Sequence, residues 1–188
     1  MKILELDVKG LPLLNSDLCI DFIAQQRVDD NDKEQLYNIF SNIYTNPALA
    51  FIGINASGKT TVLKVISFAI SLLNNEALNN IDSKEIFDDL DSGQKVVITA
   101  YFYYKNIINK LRTVIEKKVN LIDGTEKLVI VDEILWEKDI HRIKTKKSIF
   151  DFNDSDLRTR RNKKEEYLLE DVSIILALNK KQDTNFFL

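Results

Sequence analysis

The stretch Gly53-Ile54-Asn55-Ala56-Ser57-Gly58-Lys59-Thr60 carries the spacing G-x-x-x-x-G-K-[ST] at every fixed position. Immediately before it runs Ala48-Leu49-Ala50-Phe51-Ile52, a compact apolar segment of strand length. After it, residues 60–73 place Val62, Leu63, Val65, Ile66, Phe68, Ala69, Ile70, Leu72 and Leu73 at the density of a largely buried helix. Strand, glycine-bounded loop and helix in that order are the context in which this spacing cradles phosphate.

The chemistry follows from the residue types. Gly53 and Gly58 let the backbone curl, so that the N–H groups from Asn55 through Ala56, Ser57, Gly58, Lys59 and Thr60 to Thr61 turn inward toward phosphate oxygens at the positive end of the helix dipole. Lys59 is expected to reach the β- and γ-phosphates, and the Thr60 hydroxyl to supply one ligand to Mg²⁺. The expected cofactors are therefore a nucleoside triphosphate, with ATP preferred, and Mg²⁺. The loop contacts phosphates only, so it leaves the base open.

Outward from the loop, residues 1–94 are expected to hold two early strands, the loop and the first helix. Ile3, Leu4, Leu6 and Val8 form one apolar run and Leu18-Cys19-Ile20-Asp21-Phe22-Ile23 another, with Gly10, Pro12, Asn15, Ser16 and Asp17 as breakers between them. A short helix is expected over residues 34–44, with Leu36, Tyr37 and Phe40 on one face. Residues 95–138 turn β-rich, with runs at 96–104, 111–122 and 128–136. Asp123-Gly124 marks a hairpin turn between the last two and residues 106–109 a looser turn between the first two, which together predict an antiparallel meander. Residues 139–164, crowded with Lys, Arg, Asp and Asn, are expected to form a mobile charged connection, and residues 165–188 a helix and tail. The fold class expected is α/β, a P-loop NTPase core with an antiparallel β-meander subdomain.

Three further segments are candidates for completing the site. Leu128-Val129-Ile130-Val131-Asp132-Glu133 is spelled like an apolar strand ending in a metal-binding Asp132 and a water-activating Glu133. Strand character continues through Ile134, Leu135 and Trp136, however, which favours the return strand of a hairpin. Leu90-Asp91-Ser92-Gly93-Gln94 is spelled like a γ-phosphate-capping loop, but the β-branched and aromatic residues after it favour a turn. Asn179-Lys180-Lys181-Gln182-Asp183 places its aspartate one residue late for a guanine-reading motif. Arg142, Lys144, Lys146, Lys147, Arg158, Arg160, Arg161, Lys163 and Lys164 form a basic stretch without interleaved aromatics, so a solvated loop is favoured over a nucleic-acid contact. His141 reads as an exposed strand-end residue.

Composition bounds the rest. At 188 residues, 45% hydrophobic, the chain can bury one sizeable core, and its formal charge of −3 gives no global bias toward nucleic acid or anionic membrane. Cys19 is the sole cysteine and His141 the sole histidine, so neither an internal disulfide nor a typical zinc site is expected. The charged start and the lack of any run of about 18 apolar residues predict a cytoplasmic protein with no membrane partner.

The chain resembles the amino-terminal part of the ABC-like AAA-family ATPases, the group that includes OLD-type and SMC/RecF-like proteins. The resemblance rests on Met1-Lys2-Ile3-Leu4-Glu5-Leu6 as an opening strand and on the loop's agreement with Gly-x-Asn-x-Ser-Gly-Lys-[Ser/Thr]. It rests also on a meander containing Asp132-Glu133-Ile134-Leu135-Trp136-Glu137. It implies an ATPase that works as a head-to-tail homodimer, each nucleotide sandwiched between one subunit's loop and its partner's signature segment; a nuclease or nucleic acid is a partner only in the reading of the chain as an interaction module that docks one through its meander and basic loops. In that group the signature segment, the Mg²⁺-binding aspartate and the catalytic glutamate lie in a carboxy-terminal half. No convincing version of them occurs here, so the expectation is an amino-terminal fragment that binds nucleotide and by itself hydrolyses it near background. The alternatives are a self-contained ATPase or kinase using Asp132 and Glu133, and a non-catalytic interaction module.

Overall fold

The computed structural model describes the chain except for residues 15, 27, 55–57, 121, 163–168, 177 and 179–188. A six-stranded antiparallel sheet runs in the order β2-β1-β5-β6-β7-β8, where β1 is Lys2–Lys9, β2 Leu18–Asp21, β5 Lys95–Tyr104, β6 Ile107–Val119, β7 Glu126–Asp139 and β8 Leu157–Arg160. A small hairpin of β3 (Tyr37–Phe40) and β4 (Ile43–Thr45) forms a separate two-stranded sheet, and the α-helix α1 (Lys59–Leu73) follows. The class is α/β with a mainly antiparallel sheet.

The two early strands form and pair antiparallel, with Leu6 opposite Ile20 and Val8 opposite Leu18. The meander also forms, and its first turn is tighter than expected. Tyr104 pairs directly with Ile107, leaving Lys105 (φ 45°) and Asn106 (φ 66°) as a two-residue turn. Two left-handed residues in succession give the turn type whose twist matches that of the flanking strands. At the second turn Gly124 adopts φ 70°, and its N–H donates to the Asn120 carbonyl at 2.8 Å.

Helix α1 lays Val65, Phe68, Ala69, Leu72 and Leu73 on one face of the sheet, against Leu6, Val8, Val96, Ile98, Phe102, Leu111 and Ile115. Phe68 meets Phe87 edge to face at 4.9 Å, a geometry that adds about 0.5–1.5 kcal/mol to simple burial. The other face carries a smaller cluster of Leu4, Ile23, Ile39, Tyr101, Ile108 and Ile149. Leu4 and Leu6 would share a face in a regular strand, but the register of β1 against β5 shifts between Ile3 and Glu5. That bulge sends Leu4 to the second cluster and leaves Leu6 in the first.

Four expectations are corrected. Residues 34–44 form no helix; a 3-10 turn at Lys33–Gln35 precedes the β3–β4 hairpin. Ser41 (φ 47°) reverses the chain there and the Asn38 side-chain amide donates to its carbonyl at 2.8 Å, local turn chemistry that overrides the apolar spacing. Residues 48–52 form no strand: among the described residues no neighbouring strand pairs with them, and Ile52 is 95% exposed.

Residues 139–162 are an ordered strap rather than a loose connection. Capping boxes at Thr145 and Asn153 fix two 3-10 turns, Ile149 is buried, and β8 pairs with β7. Last, residues 169–173, expected within a helix, are turn and irregular, and residues 174–176 and 178 are helical. The start expected at residue 165 lies outside the described residues. No helix among the described residues is long and apolar enough to cross a membrane.

Candidate functional site

The fold places the glycine-bounded loop at the amino end of α1. Gly58 is the N-cap with φ 83° and ψ 7°, in the left-handed region that glycine adopts without strain. Open space surrounds the point where a Cβ would sit, so the backbone angle rather than crowding requires glycine there. The first helical bond inside α1 runs from Val62 N–H to the Gly58 carbonyl at 3.0 Å, so the N–H groups of Thr60 and Thr61 precede the intrahelical ladder. No side chain caps this terminus and its first turn holds no acidic residue. An uncapped helix start backed by a lysine favours an anion.

The Lys59 ammonium folds back over the loop, donating to the carbonyls of Gly53 at 2.8 Å and Ile54 at 2.7 Å. These bonds tie the side chain of Lys59 back to Gly53 and Ile54. Thr60 is exposed, with its hydroxyl on the helix's first turn. Asn55, Ala56 and Ser57 lie outside the described residues. The donor set suits a Mg²⁺–triphosphate: a cation for phosphate oxygens, a hydroxyl for the metal, and N–H groups between them. Beside the loop the surface is apolar, with Ile54 83% exposed and Leu63 and Ile70 on the outer side of α1 also exposed.

Asp132 and Glu133 sit in the interior of β7, on opposite faces, and are engaged elsewhere. Asp132 accepts from Arg112 at 3.1 Å and pairs with Arg160 at 3.1 Å. Glu133 is fully buried; it accepts from the Thr113 and Ser173 hydroxyls and the Ile174 N–H, each at 2.8 Å, and faces the Arg161 guanidinium at 3.6 Å. Burial pushes the Glu133 carboxyl above the usual carboxylate range, against the pull of those donors and of Arg161. Arg161 donates in turn to the carbonyls of Val172 at 2.8 Å and Leu169 at 2.6 Å. The network fastens residues 169–174 to the sheet. One sequence signal existed: Glu133 shares the inward phase of Leu135, and an acid at an inward position must find partners.

Residues 91–94 form the favoured turn, with Gly93 at φ 85° and Gln94 N–H bonded to the Asp91 carbonyl at 3.1 Å. Much of the basic stretch is engaged within the chain: Arg142 on Asp156 at 2.6 Å, Arg158 on Glu137 at 3.5 Å, Arg160 on Asp132, and Lys146 on the Ala24 carbonyl at 2.7 Å. His141 is exposed in the 3-10 turn that ends β7. Lys163, Lys164 and residues 179–183 lie outside the described residues.

No protein-family model matches the chain. No solved structure matches it either. Over 79 residues, 42% of the chain, it is 35% identical to the phosphonates import ATP-binding protein PhnC of Mesoplasma florum. The similarity is to an ATP-binding protein. The matched stretch spans 28% of that relative, well under a third of its length.

Proposed function

We propose that this chain binds ATP with Mg²⁺ through residues 53–61, as the phosphate-gripping portion of an ABC-like ATPase. The observation that carries this is the loop itself: a left-handed Gly58 opening an uncapped α1, with Lys59 held over the carbonyls of Gly53 and Ile54. Similarity to an ATP-binding protein agrees with it. In this reading Lys59 moves from the two carbonyls to the β- and γ-phosphates, the N–H groups up to Thr61 hold phosphate oxygens, and Thr60 binds Mg²⁺.

Hydrolysis also needs a carboxylate for the metal and a group to orient water. Asp132 and Glu133 are tied to arginines and to residues 173–174, so those groups come from a carboxy-terminal half and, in a head-to-tail homodimer, from the partner's signature segment. The exposed apolar Ile52, Ile54, Leu63 and Ile70 provide a surface for a further layer beside the loop.

Titration with a fluorescent ATP analogue and Mg²⁺ tests the reading. Saturable binding that Lys59→Ala weakens about 10- to 100-fold supports it, together with turnover near background. No binding by the wild type, or binding indifferent to Lys59→Ala, overturns it.

A further inference from the structure

Every other strand of the six-stranded sheet buries at least one apolar side chain, and β8 buries none. Leu157, its one large apolar residue, is 51% exposed. The opposite edge strand, β2, is by contrast anchored by Ile20 in the core. What holds β8 is therefore polar: backbone bonds to β7 and the side chains of Arg158 and Arg160. The ladder is short and irregular. It pairs Arg160 with Ile134, Thr159 with Leu135 and Leu157 with Trp136, and a register shift leaves Arg158 unmatched.

The side-chain contacts change in character along the segment. Arg158 reaches Glu137 at 3.5 Å and Arg160 reaches Asp132 at 3.1 Å, and these two side chains are 42% and 62% exposed. Asp132 also holds Arg112, so Arg160 has only a share of that carboxylate. The residues on either side are fastened in the interior. The Asp156 carboxylate is fully buried, accepting from Arg142 at 2.6 Å and from the Asn153 N–H at 3.1 Å. The Arg161 side chain, 6% exposed, faces the buried Glu133 at 3.6 Å and donates to the carbonyls of Val172 and Leu169, while its backbone N–H donates to the Glu133 carbonyl at 2.7 Å. Salt screens exposed ion pairs strongly and buried ones much less. Residues 157–160 thus hang between two buried anchors on contacts that salt weakens.

We propose that β8 is an ionic latch: residues 157–160 lift off β7 as ionic strength rises, while Asp156 and Arg161 stay in place and the rest of the sheet remains folded. Opening takes no apolar side chain out of the core, because β8 contributes none. It separates Arg158 from Glu137 and Arg160 from Asp132, and leaves Asp132 to Arg112 alone. It also turns the backbone groups of β7 at Ile134, Leu135 and Trp136 from a paired edge into an open one. The closed latch keeps that edge covered at low ionic strength. This is local opening of a weakly packed unit, distinct from unfolding of the chain.

The test is amide hydrogen exchange on the full chain, read residue by residue by NMR at about 0.01 M and about 1 M NaCl, between which the screening length falls from about 30 Å to about 3 Å. The protected amides among residues 158–160 should exchange about tenfold faster at high salt. The Arg161 amide and those of β6 should keep their low-salt rates. Asp132→Asn, which retains the shape of the side chain and removes its charge, should quicken the same β8 amides at low salt and shrink their response to added salt. The wild-type salt comparison needs no variant, so a misfolded Asp132→Asn leaves it decisive. Exchange in β8 that is indifferent to salt, or that quickens equally at Arg161 and in β6, overturns the proposal, as does a folded Asp132→Asn with wild-type exchange in β8 at low salt.

Discussion

The Lys59 ammonium and the Gly53 carbonyl are 2.8 Å apart, joined across the loop that separates them in sequence. With its twin to Ile54 at 2.7 Å, this bond occupies the lysine on two carbonyls that precede it in the chain. Replacing a carbonyl partner by a phosphate oxygen trades a charge–dipole bond for a charge–charge one, and such charge-assisted bonds contribute about 1.5–3 kcal/mol. Lys59→Ala is therefore expected to weaken Mg²⁺–ATP binding about 10- to 100-fold while leaving the urea midpoint nearly unchanged, since both carbonyls remain open to water. Calorimetric titration beside equilibrium unfolding checks both halves.

Gly58 provides a separate test of the same site. Its φ of 83° costs an L-residue about 1–2 kcal/mol, and nothing crowds the added methyl. Gly58→Ala should lose stability in that range, and Gly58→Asn less, because asparagine tolerates the left-handed region. If the two variants unfold at the wild-type denaturant concentration, Gly58 does not hold that angle in solution.

The strap of residues 139–162 hangs on Lys138. This largely buried ammonium donates to the carbonyls of Ser148, at 2.6 Å, and Asp151, and lies 4.3 Å from the Phe152 ring centroid. Lys138→Met keeps the stem but leaves both carbonyls unpaired, at about 1–3 kcal/mol. Hydrogen exchange should quicken at residues 146–152 in that variant and remain slow in β5 and β6. Uniform quickening would mean that the strap unfolds only with the whole chain.

The meander and α1 were legible because their signals are local and agree: alternating β-formers, Asp123-Gly124, and the apolar spacing after Gly58. The strap was not, because its order comes from contacts distant in sequence. Lys138 reaches Ser148, Lys146 reaches Ala24, and β8 depends on Ile134, Leu135 and Trp136 already being in place. A charged composition reveals none of these. Residues 48–52 failed in the opposite sense: their apolar run is that of a buried strand, but a strand needs a neighbour, and none among the described residues pairs with it. The loop's spacing was plain at the site, whereas the partners of Asp132 and Glu133 depended on where residues 160, 161 and 173 fold.

Glu133 and Arg161 allow the sharpest separation of structure from catalysis. Removing the acid by Glu133→Ala strands a guanidinium that is itself largely buried, and breaking such a pair costs about 3–5 kcal/mol. Glu133→Gln preserves shape and one acceptor for Thr113 and Ser173 but sets an amide donor against the Ile174 N–H, so about 1–3 kcal/mol is expected. The pH dependence has a fixed sign. Because burial holds this carboxyl above its ordinary value of 4.5, the folded chain binds the proton more tightly than the unfolded chain. Glu133's contribution to stability therefore declines as pH rises above about 4.5, and Glu133→Gln should flatten that slope in urea unfolding. Mg²⁺–ATP affinity of folded Glu133→Gln should match the wild type. A loss of affinity without a loss of stability would return Glu133 to the nucleotide site.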